Sequence, residues 1–144
     1  MAQRVYDNRL GIKGWAVGAR WGIERYLYTL HRITGIGIVL YFLAHIIVTT
    51  MRVYGKASWE GAMASVSNPV FHIGEWLVFL AFCFHAMNGI RLVLIELGFM
   101  VGKPIEPIYP YPTCIGKQRP VTIILMILAI VWIVAGSYDF FLVK

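Results

Sequence analysis

Charge is what this sequence is poorest in. Only 14% of its 144 residues are Asp, Glu, Lys or Arg, against about a quarter in an ordinary soluble domain. Acidic groups are scarcer still, at 7 in all, while 59% of the chain is hydrophobic. A chain this short is one domain, and with that balance its natural solvent is lipid. There are 2 cysteines, Cys83 and Cys114. They have no metal-ligand spacing and form no disulfide framework, so they read as buried or loop thiols. The N-terminus lacks the basic, apolar and cleavage-site order of a signal peptide and is expected to stay on the mature protein. No internal repeat or low-complexity tract appears. The formal charge of +6 raises nucleic acid as a partner, but the basic residues build no continuous stripe. They gather at the ends of apolar runs, which is the pattern of a membrane topology signal.

Three such runs are present. Residues 1–29 are polar and Gly-punctuated, with Trp15 and Trp21 set among Arg4, Arg9, Lys13, Arg20 and Arg25. They read as a cytoplasmic or interfacial segment, with room for a short helix on the headgroups. Residues 30–144 then form a three-helix anchor domain with spans expected near 31–53, 70–99 and 120–142. The first contains ITGIGIVLYFLAHIIVTTM from Ile33 to Met51, long enough at about 1.5 Å per residue to cross a core of about 30 Å. A linker from Arg52 to Asn68 ends at Pro69, a helix-start signal. After the second span, the connector GKPIEPIYPYPTCIGKQRP carries prolines at 104, 107, 110 and 112, which exclude a continuous helix. The fold class is therefore all-α and integral to the membrane. Lys and Arg crowd the N-terminal segment and the Pro-rich connector, so the positive-inside rule places both in the cytoplasm of a plasma-membrane protein.

An ionisable side chain inside lipid costs several kcal/mol on insertion scales of about 2.5–3.5 kcal/mol per residue, so each one asks for a reason. His45 and His85 are the two deepest. Each could be a polar contact between helices, but neutral imidazole is also a good axial ligand for haem iron, and helical bundles build such sites from facing helices. His85 lies about 9 Å along the axis from Arg91, and His45 about 20 Å from Arg32. With both arginines at the cytoplasmic headgroups, the histidines differ in depth by about 10 Å, so they do not ligate one iron. They suit two stacked haems whose other ligands come from a partner chain. Asn88 and Gly89 stand one turn from His85, and glycine lets a flat macrocycle approach the backbone. His31 shares a helix face with His45, about 40° apart. Arg32 and Arg91 at the inner helix ends could neutralise propionates or polarise a quinone carbonyl, or simply snorkel to lipid phosphate. His72, near Pro69 and Glu75, reads as interfacial.

The stretches LHRITGIGIVLYFLAHII (30–47) and FHAMNGIRLVLIELG (84–98) resemble the cytochrome b membrane-anchor subunit of succinate dehydrogenase and the related fumarate reductases. The first is similar to the His-Arg-x-Thr/Ser-Gly entry of that family's first helix, the second to its His-x-x-x-Gly-Ile-Arg signature. With the three-span layout, the likeness covers roughly residues 25 to 142. It implies that His85 is a haem b axial ligand whose partner histidine sits in a second anchor subunit, the two chains together completing a helical bundle. It implies that Arg32 and His31 lie near quinone and propionates, and that Arg91 lies near a propionate. Glu96 stands where many members carry Asp. Where the family often has a quinone-contacting Ser, this chain has Tyr28 followed by Thr29, and Leu92 stands in place of a second histidine. His45 resembles the first-helix histidine of two-haem members.

The resemblance also implies partners and a reaction. A flavoprotein would oxidise succinate, an iron–sulfur subunit would relay electrons, and this chain would anchor both, hold haem b and help form the quinone site. Its own residues would do no dicarboxylate chemistry; their work is positioning and electrostatics. A quinol:fumarate reductase keeps every assignment and reverses the flow. A structural membrane subunit without redox chemistry would use the histidines as interhelical contacts and be colourless. A self-contained four-helix haem shuttle usually needs its axial pairs in one chain, and three spans with two deep histidines fall short of that unless the chain dimerises.

Overall fold

The computed structural model describes residues 11–16, 22–104, 106 and 114–143. Arg4, Arg9, Arg20, Trp21 and the prolines at 107, 110 and 112 lie outside them, as does the side chain of Trp15. Among the described residues every regular element is helical: α1 (Gly11–Ala16), α2 (Ile23–Thr50), α3 (Lys56–Val66), α4 (Pro69–Glu96) and α5 (Arg119–Leu142). Short 3₁₀ turns extend α2 through Met51–Tyr54 and precede α5 over Cys114–Gln118. The helices α2, α4 and α5 are each long and apolar enough to cross a bilayer. The all-α, three-span architecture expected from the apolar runs is the one observed.

The first long helix begins earlier than the apolar run does. Gly22 takes φ 104°, a backbone conformation suited to glycine, and the helix starts at the next residue. From Ile23 to Thr34 no Gly or Pro interrupts it, and Glu24 in the first turn favours the positive end of the helix dipole. Helix α4 starts by a sharper device. Asn68 caps it, its Oδ1 accepting from the Val70 and Phe71 amides at 3.0 and 3.3 Å, and Pro69 occupies the first turn. A cap of this kind is worth about 1 kcal/mol.

Helix α3 is a departure from the linker expected over 52–68. Gly55, at φ 97°, breaks it from the preceding turn. Beyond that break Ala57, Ala62, Ala64 and Met63 favour helix, and Lys56 pairs with Glu60 at 3.6 Å one turn on. At 11 residues it measures about 17 Å, too short to span a membrane. Arg52 lies over the Trp59 ring at 5.2 Å.

Helix α4 is the common element, and both α2 and α5 pack antiparallel along it. Toward α5 it presents His72, Trp76 and Phe79. His72 stacks on Phe140 with centroids 4.1 Å apart, and Trp76 Nε1 donates to Ser137 Oγ at 2.9 Å. The Phe79 ring sits directly on Gly136, where any added methyl would overlap it. Toward α2 it presents His85, Asn88 and Gly89. Small residues where helices touch, with a few hydrogen bonds between them, are what membrane packing requires in place of a hydrophobic driving force. The outward faces are correspondingly greasy: Leu40, Ile47, Leu77, Ile124 and Trp132 are all exposed on the isolated chain. At the basic end, Arg119 Nε meets Glu24 Oε1 at 2.9 Å, tying the start of α5 to the start of α2.

Candidate functional site at the His31–His85 pair

The second-span histidine is held in a specific way. His85 Nδ1 lies 3.1 Å from the His31 carbonyl oxygen and 3.2 Å from Thr34 Oγ1. A carbonyl only accepts, so Nδ1 carries the proton and donates. The Thr34 hydroxyl already gives its hydrogen to the α2 backbone, at Leu30 or His31, which leaves its oxygen to accept from the same Nδ1. Of the two neutral tautomers this selects the one in which Nε2 keeps its lone pair, and Nε2 makes no hydrogen bond among the described residues. A histidine whose one nitrogen is tied to a carbonyl and whose other is free is poised to ligate a metal.

Glycine makes the arrangement fit. A Cβ at Gly35 would come 2.9 Å from His85 Cε1, closer than real Cβ contacts allow, so the ring occupies the space a side chain would take. The His31 ring lies against His85, centroids 3.8 Å apart and planes at 12°, and over Gly89, where an added Cβ would make an ordinary 3.5 Å contact. His31 Nδ1 is buried and has no hydrogen-bond partner among the described residues. Both rings open onto a hollow of about 460 Å³ on the flank of α2, lined also by Arg32, Ile36 and Val39.

The structure therefore brings His31, His85 and Arg32 together, and separates other residues singled out in the sequence. Arg32 is exposed, with its guanidinium 5.6 Å above the Tyr28 ring. Tyr28 thus shares the open side with Arg32, whereas Thr29, its neighbour, is turned inward at 4% exposure. Arg91 lies in the interior at 2% exposure, with Asn88 beside it at 0%. Arg91 Nε donates to Asn88 Oδ1 at 2.8 Å and Nη1 approaches Gln118 Oε1 at 3.5 Å. His45 stands apart from all of these. It stacks loosely on Tyr41 at 5.7 Å and lines a second hollow of about 360 Å³ with Trp59, Met63 and Glu75. Gly35 lies level with His85, and His45 follows ten residues further along α2, about 15 Å at the helical rise. His72 belongs to the α4–α5 contact.

Three participants escaped the sequence reading. Gly35 was visible, since it closes the His-Arg-x-Thr-Gly stretch, but the glycine expected to give room was Gly89. Thr34 belongs to the same stretch. Gln118, at 2% exposure, gave no signal in a connector read for its prolines.

Over residues 17–136 the chain matches the family described as succinate dehydrogenase/fumarate reductase transmembrane subunit. It belongs to that family. The matched range takes in the first two spans, most of the third, and every residue of the His31–His85 site. Among curated relatives of this transmembrane-subunit family, it is similar to the succinate dehydrogenase 2 membrane subunit SdhC of Mycobacterium tuberculosis, 29% identical over 69 residues, covering 48% of this chain and 51% of the relative. It is also similar to the succinate dehydrogenase hydrophobic membrane anchor subunit of Archaeoglobus fulgidus, 31% identical over 74 residues, covering 51% and 63%. The matches thus span between half and two thirds of those relatives' lengths.

Proposed function

We propose that this transmembrane subunit serves a succinate:quinone oxidoreductase, anchoring the flavoprotein and iron–sulfur subunits, holding haem b with a second anchor subunit, and helping to form the quinone site. The observation that carries this reading is the His85 imidazole, with Nδ1 donating to the His31 carbonyl and Nε2 left available. Three features of the site fit a haem. The donor is a neutral imidazole, the iron ligand of many b-type sites. The ring is seated against Gly35, in a place only a glycine leaves open. A buried nitrogen on His31 still lacks a partner, as happens at a site completed by a further group. The second axial ligand would come from the partner subunit, because His31, the other histidine at that level, is stacked on the His85 ring and so lies beside it rather than facing it across an iron.

When bound, the haem would supply one-electron storage between the soluble subunits and quinone. The chain's own residues do the rest. His85 holds its lone pair in a fixed direction because the carbonyl tether sets both tautomer and ring plane. Arg32 presents a permanent positive charge on the open flank, suited to a propionate or a quinone carbonyl, and Tyr28 places a phenol hydroxyl on the same side. Thr29, turned inward, contributes to packing and leaves any hydroxyl contact to Tyr28. The N-terminus and the Pro-rich connector would face the cytoplasm of a plasma membrane, as the Lys and Arg distribution requires. The exposed apolar flank of α2 would meet the second anchor subunit.

The test is a reduced-minus-oxidised optical spectrum with a pyridine haemochrome count on the complex purified with this chain. A b-type spectrum at one haem or more per copy is expected; a colourless complex would refute the haem assignment and leave an anchor. A second haem per copy would bring in His45, whose separate hollow lies about 15 Å further along α2 from the level of His85.

A further inference from the structure

The geometry points to Arg91 and Asn88 as a positioning relay that sets how His85 is held against α2, acting from the protein interior. The relay starts at the guanidinium. Arg91 Nε donates to Asn88 Oδ1 at 2.8 Å, and Asn88 Nδ2 donates to the Leu27 carbonyl of α2 at 3.3 Å. One turn further along both helices, His85 Nδ1 donates to the His31 carbonyl. Leu27 and His31 are four positions apart, so α4 tethers α2 at two carbonyls one turn apart, and both tethers must hold for either to be in register. Gln118 extends the relay to α5: its Oε1 faces Arg91 Nη1 at 3.5 Å, and its own carbonyl accepts from Thr122 Oγ1 at 3.2 Å.

This assignment differs from a role for Arg91 as a cation facing a cofactor carboxylate. At 2% exposure Arg91 does not reach the open hollow that His31 and Arg32 line. Its guanidinium geometry matters, because the Nε–H that meets Asn88 has no equivalent in lysine. The link to haem rests on the function proposed above, while the tethering of α2 does not.

Two variants separate the readings, examined in the intact complex. Arg91→Lys keeps the charge and removes the Nε donor. Asn88→Asp is nearly isosteric, still accepts from Arg91, and can no longer donate to the Leu27 carbonyl. The relay predicts that each speeds hydrogen–deuterium exchange of the His31 amide region by about three- to tenfold, the range of one interhelical hydrogen bond. The double variant should be no worse than the single ones, since both cut one chain of contacts. Each should also shift the haem midpoint potential while haem content stays near one equivalent. An unchanged exchange rate in Arg91→Lys, or an effect confined to Arg91 with Asn88→Asp silent, would overturn the relay. Should Arg91→Lys not assemble, Asn88→Asp decides alone. If the unmodified complex carries no haem, the exchange measurement still tests the relay, and only the haem reading falls.

Discussion

His85 and His45 are the same residue in adjacent transmembrane helices, and the molecule treats them differently. His85 is locked: a carbonyl and a threonine hydroxyl accept hydrogen bonds from its Nδ1–H, a glycine makes room for its ring, and a second imidazole stacks on it. His45 is exposed on the isolated chain and touches an aromatic ring at 5.7 Å. Intramembrane position marks both as costly and therefore purposeful. Only the surroundings say which one is pre-oriented, and orientation is what a ligand needs.

That contrast can be broken or sharpened by substitution, most strongly at His85 itself. His85→Ala is expected to remove its haem entirely while the three spans still insert; an unchanged haem spectrum would sink the assignment. Gly35→Ala comes next. Its Cβ would collide with the His85 ring at 2.9 Å, so the ring must move, at a cost of about 1–3 kcal/mol. The haemochrome count should fall below one per copy and the reduced α-band should shift. Thr34→Val removes the weaker of the two acceptors and leaves the carbonyl. Haem should be retained, with a small shift in midpoint potential, corresponding to about 1 kcal/mol or less. His45→Ala should be mildest for the His85 haem, leaving its spectrum intact. A total count that drops from two to one in that variant would establish His45 as a ligand of its own haem.

The three spans were readable from apolar run length, because lipid imposes that length on any helix crossing it. Helix α3 was not, since Gly55, Ser58, Gly61 and Ser65 resemble linker punctuation, and the alanines between them outweigh it locally. The histidine–arginine entry and the second-span histidine were legible as chemistry that lipid does not tolerate without cause. The fate of Arg91 was hidden. Distance along a helix gives depth, but which way a side chain faces depends on where two neighbouring helices lie, and one sequence does not specify that. Arg32 and Arg91 looked equivalent by depth, and one proved open while the other is enclosed. The same reasoning separates Tyr28 from Thr29, adjacent residues about 100° apart around the axis.

The antiparallel packing of α2 on α4 has an angular consequence. His31 meets Gly89 and Gly35 meets His85, while His45 shares its hollow with Glu75, so one phase relation runs the length of both helices. Inserting a single residue between Gly37 and Leu40 would turn the far half of α2 by about 100° and advance it by about 1.5 Å. His45 would swing away from its hollow while His31, Thr34 and Gly35 kept their contacts with His85. The two histidine environments are thus geared to one shaft, and a one-residue change in its length would uncouple them.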